Sequence, residues 1–346
     1  MQNTHQKSQE IMARRGLVFH TIRSEYQIDG SPERCLSRHV AEDDKGRLWL
    51  MEHLADGQRH SRNAIATILA NIAPDYNGVP VPRALVKSDE LQYIENIEEA
   101  WQVSPFYVGT PLPRPKYLQD AWRGVAVGIF LKQLHDARRH LDHIPPPHIH
   151  IHKQNTSTSA TAALHYTDPT NIIYYVAHVA EQVRKHPILA QNPQKLEAFA
   201  RVLAHLDTQL PPTLAAQPMT LAHGDLHPLN CIWRKDQLVG VIDWEFCGAR
   251  PILYDMANCL GCCGFEHPSG LVGNFAKGLL KTTLLPSGFL SPDVARLLPT
   301  MVMALRFAWL SEWCKKQDHE MLTMELEYLQ ILLYNHDLLI KEWTHF

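Results

Sequence analysis

From residue 15 to residue 108 short apolar runs alternate with turn signals. GLVFHTI, then YQI running into Asp29-Gly30, then CLSRHV, then Asp43-Asp44-Lys45-Gly46 and RLWLMEHL read as hairpin strands. A half-buried strand repeats every two residues, and its turns collect Gly and Asp. The period changes after Ser61. Ala64, Ile65, Ile68, Leu69 and Ile72 fall at helical spacing, with Ser61 placed as N-cap. Pro80 and Pro82 break the chain, and strand-like runs return at 91–94 and 101–108. The first third therefore predicts a small antiparallel sheet carrying one helix.

After Gly109 the segment TPLPRP reads as a linker, and helical patterns dominate beyond it, at 122–140, 171–185, 193–206, 292–314 and 319–343. Between them, three prolines at 145–147 and the run QNTSTSATAA read as a loop. The expectation is an α+β chain of two lobes: residues 15–109 as a sheet lobe, and 110–346 as a mainly helical lobe.

Composition narrows the partners. A length of 346 residues suggests two domains at about 150 residues each. Lys and Arg total 33 against 36 Asp and Glu, so no basic excess points to nucleic acid. With 45% apolar and 20% charged residues the chain reads as soluble and globular. The opening MQNTHQKSQEIMARRG is polar and no run of ~18 apolar residues occurs elsewhere, which predicts neither signal peptide nor membrane span and a cytoplasmic protein. Seven cysteines scattered along the chain fit a reducing compartment rather than a disulfide framework.

The chemistry concentrates in residues 221–255, LAHGDLHPLNCIWRKDQLVGVIDWEFCGARPILYD. His223-Gly-Asp225-Leu-x-x-x-Asn230 has the spacing of a kinase catalytic loop. Thirteen residues after Asn230, an apolar strand ends in Asp243. CIWR and LVGVID flank a turn at Lys235-Asp236-Gln237, so a hairpin would bring Asp243 back beside Asn230. Phosphoryl transfer asks a protein to position a hydroxyl in line with a γ-phosphate and to neutralise charge with Mg²⁺. Mg²⁺ takes oxygen ligands, commonly one or two carboxylates plus phosphate oxygens and waters. Asn230 and Asp243 supply such oxygens, which leaves Asp225 to orient the hydroxyl and take its proton.

On these residues the chain resembles the aminoglycoside phosphotransferase and choline kinase-like family, whose members have a protein-kinase-like fold. The likeness is tight over 221–260, where His223-Gly-Asp225-Leu-His-Pro-Leu-Asn230 and Ile242-Asp243-Trp244-Glu245 follow the family pattern. It includes Leu134-His135 at a helix end and Asp255, similar to the family's structural aspartate, and extends more loosely over 15–340. The resemblance implies Asp225 as catalytic base, Asn230 and Asp243 as Mg²⁺ ligands, and the segment from Ser104 through Phe106 to Gly109 as the hinge that receives the base of ATP. His223 reads as support for the loop and Trp244 as packing.

The sheet lobe departs from the kinase pattern. Kinases carry a Lys on the third strand paired with a Glu on the next helix. Here Met51 or Glu52 stands at the Lys position, and residues 55–73 contain no Glu. One arrangement inverts the pair: Glu52 on the strand holds Arg62 or Arg59 near the helix start, and a guanidinium meets the phosphates. The alternative leaves Glu52 and both arginines on wet faces. Asp29-Gly30-Ser31-Pro32 stands where a phosphate-covering loop belongs.

Other candidates have bland alternatives. His148, His150 and His152 share one face of an extended strand, a metal site or a solvated loop. Cys259, Cys262 and Cys263 read as buried small hydrophobes rather than zinc ligands. Trp309 and Trp313, four apart on one helix, form a box for a cationic substrate or pack in the core. Glu245 and Glu266 contact a substrate amine or hydroxyl, or are supporting or surface residues. The expectation is an ATP- and Mg²⁺-dependent kinase acting on a hydroxyl of a small molecule: an amino sugar, a choline-like amine, a sugar or homoserine. A protein acceptor is disfavoured because no Ala-Pro-Glu segment follows Asp243. The alternatives are a nucleotide-binding pseudokinase that lacks the Lys/Glu pair, and a metal-binding protein built on the histidines. Oligomeric state and the choice between ATP and GTP stay open.

Overall fold

The computed structural model describes residues 2–26, 28, 34–55, 58, 62, 64–66, 68–69, 100–137, 170–284 and 288–345. Arg59, Ser61, the loop 29–32, the run at 91–94 and the histidines at 148, 150 and 152 lie outside the described residues.

Helix α1 (Gln2–Arg14) precedes a four-stranded antiparallel sheet of β1 (Phe19–Ile22), β2 (Cys35–Asp43), β3 (Leu48–Leu54) and β4 (Ala100–Pro105), in that spatial order. Strand alternation sorts its two faces. Ala41, Trp49, Met51 and Val103 pack with Ile11, Met12 and Leu17. In the opposite phase, Arg38 pairs across the sheet with Glu52 and Glu52 with Gln102, while Leu50 faces Ser104. These residues line a cleft. Of the two residues at the Lys position, Glu52 is thus the one in phase with the cleft, and Met51 is fully buried beneath α1. The sequence assigned α1 no element because only a few of its residues are apolar; Ile11 and Met12 are the ones that pack on the sheet.

Tyr26 and Ile28 lie outside any strand, against the expected YQI strand. The Tyr26 amide instead closes a turn onto the Arg23 carbonyl at 3.2 Å. Strand β4 stops at Pro105 rather than running to 108, the Phe106 amide donating to Leu48 at 2.9 Å as the sheet ends. Arg62, Ala64, Ile65, Ala66, Ile68 and Leu69 are helical, as the periodicity predicts.

The helical lobe contains α2 (Ala121–Ala137), α3 (Thr170–Lys185), α4 (Pro187–Ala190), α5 (Pro193–Ala215), α6 (Tyr254–Glu266), α7 (Asn274–Leu284), α8 (Pro292–Ala295), α9 (Leu298–Lys316), α10 (His319–Tyr334) and α11 (His336–Thr344) around one apolar core. The single helix expected at 292–314 is two, α8 and α9, because Pro299 brings no amide to the first turn of α9. The helix expected at 319–343 breaks at Asn335, whose side chain donates to the Ile331 carbonyl at 2.8 Å. α2 and α7 cross closely: a Cβ on Gly124 would stand 1.9 Å from the Phe275 carbonyl oxygen.

Two short antiparallel pairs carry the motif residues. β5 (Met219–Ala222) pairs with β8 (Gly248–Pro251), and β6 (Cys231–Arg234) with β7 (Gln237–Val241). The second pair is the expected hairpin, turning at Lys235 and Asp236. The linker after β4 lies on it: the Thr110 amide donates to the Trp233 carbonyl at 2.7 Å, and Tyr107 packs against Gly240. Sheet and hairpin are thereby held against each other at the cleft. Among the described residues no helix is long and apolar enough to cross a membrane, and the cysteines are free thiols.

Candidate active site

The loop 223–230 is fixed from below. The buried Asp255 carboxylate, in the first turn of α6, accepts from the amides of His223 at 2.7 Å and Gly224 at 2.9 Å. His223 is 0% exposed, and burial lowers its pKa against the pull of Asp255 and Asp225. A neutral imidazole satisfies both of its contacts: Nε2–H donates to the Ile242 carbonyl at 2.9 Å, and Nδ1 accepts from the Asp225 amide at 3.2 Å. The Trp244 ring lies 4.6 Å from the imidazole, with its Nε1 donating to Val241. His223 therefore ties the catalytic-type loop to the strand that precedes Asp243.

Gly224 is required where it stands. Its φ is +87°, and a Cβ there would meet the Phe246 carbonyl oxygen at 2.1 Å. Left-handed strain alone costs a non-glycine residue about 1–3 kcal/mol. Gly224→Ala is expected to lower the thermal midpoint and to displace Asp225; an unchanged midpoint in a melting experiment would contradict this geometry.

Asp225 projects from this loop with its side chain 25% exposed. Asn230 Nδ2 donates to its carbonyl at 2.9 Å and to Oδ2 at 3.3 Å, while Asn258 Nδ2 reaches Oδ1 at 3.3 Å and the Leu226 carbonyl at 3.1 Å. His227 Nε2 stands 3.7 Å from Oδ2. Because the Asn230 amide nitrogen is committed to Asp225, its Oδ1 is the atom available to a cation. The Ile242 amide donates to the Asn230 carbonyl at 2.9 Å, so Asp243, in a left-handed conformation with φ +66°, emerges next to Asn230.

Above Asp243 the cleft encloses about 410 Å³. Ile28, Leu50, Phe106, Tyr107, Ile232 and Ile242 make its apolar walls, with Ser104 on the same lining, and Tyr26 packs on Phe106 at 5.1 Å. The polar end holds Arg34, Arg38, Glu52, Arg62, Gln102 and Asp243. Glu52 is taken by Arg38 at 2.9 Å and by the Cys35 thiol at 3.4 Å. The expected Glu52–Arg62 pair does not form, because the register of β2 and β3 sets Arg38 directly opposite Glu52.

Arg62, 7% exposed, instead faces Glu245 at 3.8 Å, and Arg34 forms an ion pair with the same carboxylate. Among the described residues, Arg62 Nε and Nη2 are buried without a hydrogen-bond partner. Burial, and then the neighbouring Asp243 charge, push the Glu245 carboxyl up to about 7, with Arg34 and Arg62 pulling it down. Arg34, Arg38 and Asn258 carried no role in the sequence reading. Asn258 follows Asp255 by three residues on α6, a helical spacing that puts both on one face.

The remaining candidates have separate partners. Glu266 accepts from Tyr117 OH at 2.9 Å and Arg114 at 3.1 Å. Trp309 and Trp313 stack at 5.6 Å, and each ring already carries a cation of the protein: Arg306 over Trp309 at 5.5 Å and Lys316 over Trp313 at 5.4 Å. Among the described residues no three His, Cys, Asp or Glu form a metal-holding group. Asn230 and Asp243 offer one amide oxygen and one carboxylate side by side, a set that Mg²⁺ would complete with phosphate oxygens and waters.

A model of the phosphotransferase enzyme family matches residues 38–291 of the 346. Homoserine kinase of Bartonella henselae is 35% identical over 101 residues, covering 29% of this chain and 30% of that protein. Homoserine kinase of Beijerinckia indica is 31% identical over 154 residues, 41% of this chain and 45% of its own. The matched segments thus span less than half of these relatives. Among solved structures, amicoumacin kinase hAmiN with AMP-PNP, Ca²⁺ and Ami superposes with TM-score 0.57 at 12% identity, over 93% of this chain and 92% of that one. The gentamicin complex of APH(2″)-IIa gives 0.55 at 14% identity, over 94% and 95%. These likenesses show a shared protein-kinase-like fold, and the family model runs from β2 past α7 through the loop 223–230, Asp243 and Asp255. The chain belongs to the phosphotransferase enzyme family.

Proposed function

We propose that this protein transfers the γ-phosphate of ATP to a hydroxyl group of a small molecule in the cytoplasm, with residues 15–109 closing over the nucleotide and 110–346 holding the acceptor. The observation that carries this reading is the convergence at Asp225: Asn230 and Asn258 each donate to one of its carboxylate oxygens, and the Asn230 backbone anchors the strand end that bears Asp243. Asp225 orients the acceptor hydroxyl and takes its proton. Asn230 and Asp243 would hold Mg²⁺, which supplies charge neutralisation for the phosphates. The apolar walls around Ser104 and Phe106 suit a purine base, and the unpartnered N–H groups of Arg62 suit phosphate oxygens. Homoserine leads the acceptors to be tested, since short stretches of the chain are 31–38% identical to homoserine kinases.

A second reading, a nucleotide-binding module without turnover, is favoured by Glu52, an acid in the cleft where kinases carry a cation. A panel of homoserine, choline, aminoglycosides and sugars with ATP and Mg²⁺, scored by ADP release, separates the two. Acceptor-dependent release supports the kinase. Nucleotide binding with no release for any acceptor supports the module.

A further inference from the structure

We propose that Glu245 is a positioning residue for the nucleotide: from the helical lobe it holds Arg62 and Arg34 of the sheet lobe over the phosphate region. This deepens the proposed nucleotide site and rests on that reading. The strand carboxylate expected to serve Arg62 is occupied, since Glu52 is bound by Arg38 at 2.9 Å and by Cys35 at 3.4 Å. Glu245 is 9% exposed, and its carboxylate is shared between Arg34 and Arg62.

The geometry of the two contacts differs in a way that matters. The 3.8 Å separation from Arg62 is too long for a hydrogen bond, so Glu245 balances the charge of that guanidinium without consuming its donors. Nε and Nη2 of Arg62 therefore stay buried and, among the described residues, unpartnered on the lining of the cleft, where an anion would satisfy them. Arg34 is one-third exposed, leans on the Phe246 ring at 5.5 Å, and begins the chain segment that runs into β2. The carboxylate reaches both arginines from the short helical turn 244–246 that directly follows Asp243.

The cation–carboxylate partnership thus spans the two lobes, in contrast to a strand–helix pair inside one lobe. Its consequence is coupling: whatever orders the Asp243 segment also places Arg62. Nucleotide affinity, rather than acceptor affinity, is the quantity that should respond.

Titration calorimetry with MgADP as probe, together with steady-state kinetics, tests the assignment on the full chain. Glu245→Gln is expected to weaken MgADP binding about tenfold or more and to raise the KM for ATP, with the acceptor KM unchanged. Because Glu245 acts through Arg62 and Arg34, adding Glu245→Gln to the pair Arg62→Ala with Arg34→Ala should weaken binding no further. Unchanged MgADP affinity in Glu245→Gln overturns the proposal. So does a further multiplicative loss when Glu245→Gln is added to that pair, or a rise confined to the acceptor KM. Should Glu245→Gln fail to fold, Arg34→Ala, at a partly exposed residue, tests the same link: weakened MgADP binding supports it and unchanged binding overturns it. Wild-type protein that binds no MgADP would remove the nucleotide site itself, whereas wild type and variants that bind equally would remove only the role of Glu245.

Discussion

Asp225→Asn is expected to leave the chain folded and to lower kcat by about 10²–10⁴-fold, the range a positioned general base supplies. The substitution is isosteric, and the partners of the side chain are amide nitrogens: Asn230 Nδ2 on Oδ2 and Asn258 Nδ2 on Oδ1, both at 3.3 Å. An Asn there keeps one acceptor for these donors but has no basic lone pair for the proton of an acceptor hydroxyl. It also turns one charge-assisted contact into an N–H facing an N–H, a local cost that the 25% exposure of the side chain lets water relieve. The loop itself should not move, because it is held by Asp255 and His223 through backbone groups that the substitution does not touch. Initial rates with saturating ATP and acceptor, alongside thermal melts of both proteins, check this. A variant with wild-type kcat would show that the proton is taken elsewhere.

Glu325→Ala should be the most damaging single change to stability. Arg306 on α9 and Glu325 on α10 are 3% and 0% exposed in their side chains and meet through two hydrogen bonds of 2.6 Å. Removing one partner of a buried pair leaves an uncompensated charge, at a cost of about 3–5 kcal/mol. The guanidinium has nowhere wet to go, because Phe265, Trp309 and Tyr328 pack around it at 4.8 to 5.5 Å. Replacing both residues, as Arg306→Met with Glu325→Leu, should cost far less, since no charge is then stranded. Chemical denaturation of the single and double variants measures the difference. Arg306 also reaches Cys262 at 3.8 Å, one helical turn after Asn258 on α6, so the same damage should loosen the donor that steadies Asp225.

What the sequence showed and what it hid divide along the range of the interactions. The loop from His223 to Asn230, the hairpin of CIWR with LVGV and the return of Asp243 beside Asn230 are local events within a few tens of residues, governed by turn chemistry and strand period. They are legible for that reason. The partner of Arg62 is not local: Glu245 reaches it from the other lobe, and Glu52 was the nearer carboxylate in sequence. Only the register of β2 on β3, which sets Arg38 opposite Glu52, decides between them. The same holds for α1, whose polar composition hides the two residues, Ile11 and Met12, that seat it on the sheet. Trp309 and Trp313 looked open to a cationic ligand because a sequence does not reveal that Arg306 and Lys316 lie over their rings.

The proposed role of Asn230 and Asp243 is to hold one divalent ion against the phosphates of a nucleotide bound in the cleft. The most direct measurement is the affinity for ADP with and without Mg²⁺, in wild type and in Asp243→Ala. Mg²⁺ is expected to tighten binding to the wild type and to Asp225→Asn, and Asp243→Ala to lose this increment while retaining its Mg²⁺-free affinity. An increment of full size in Asp243→Ala would place the ion elsewhere and contradict the account.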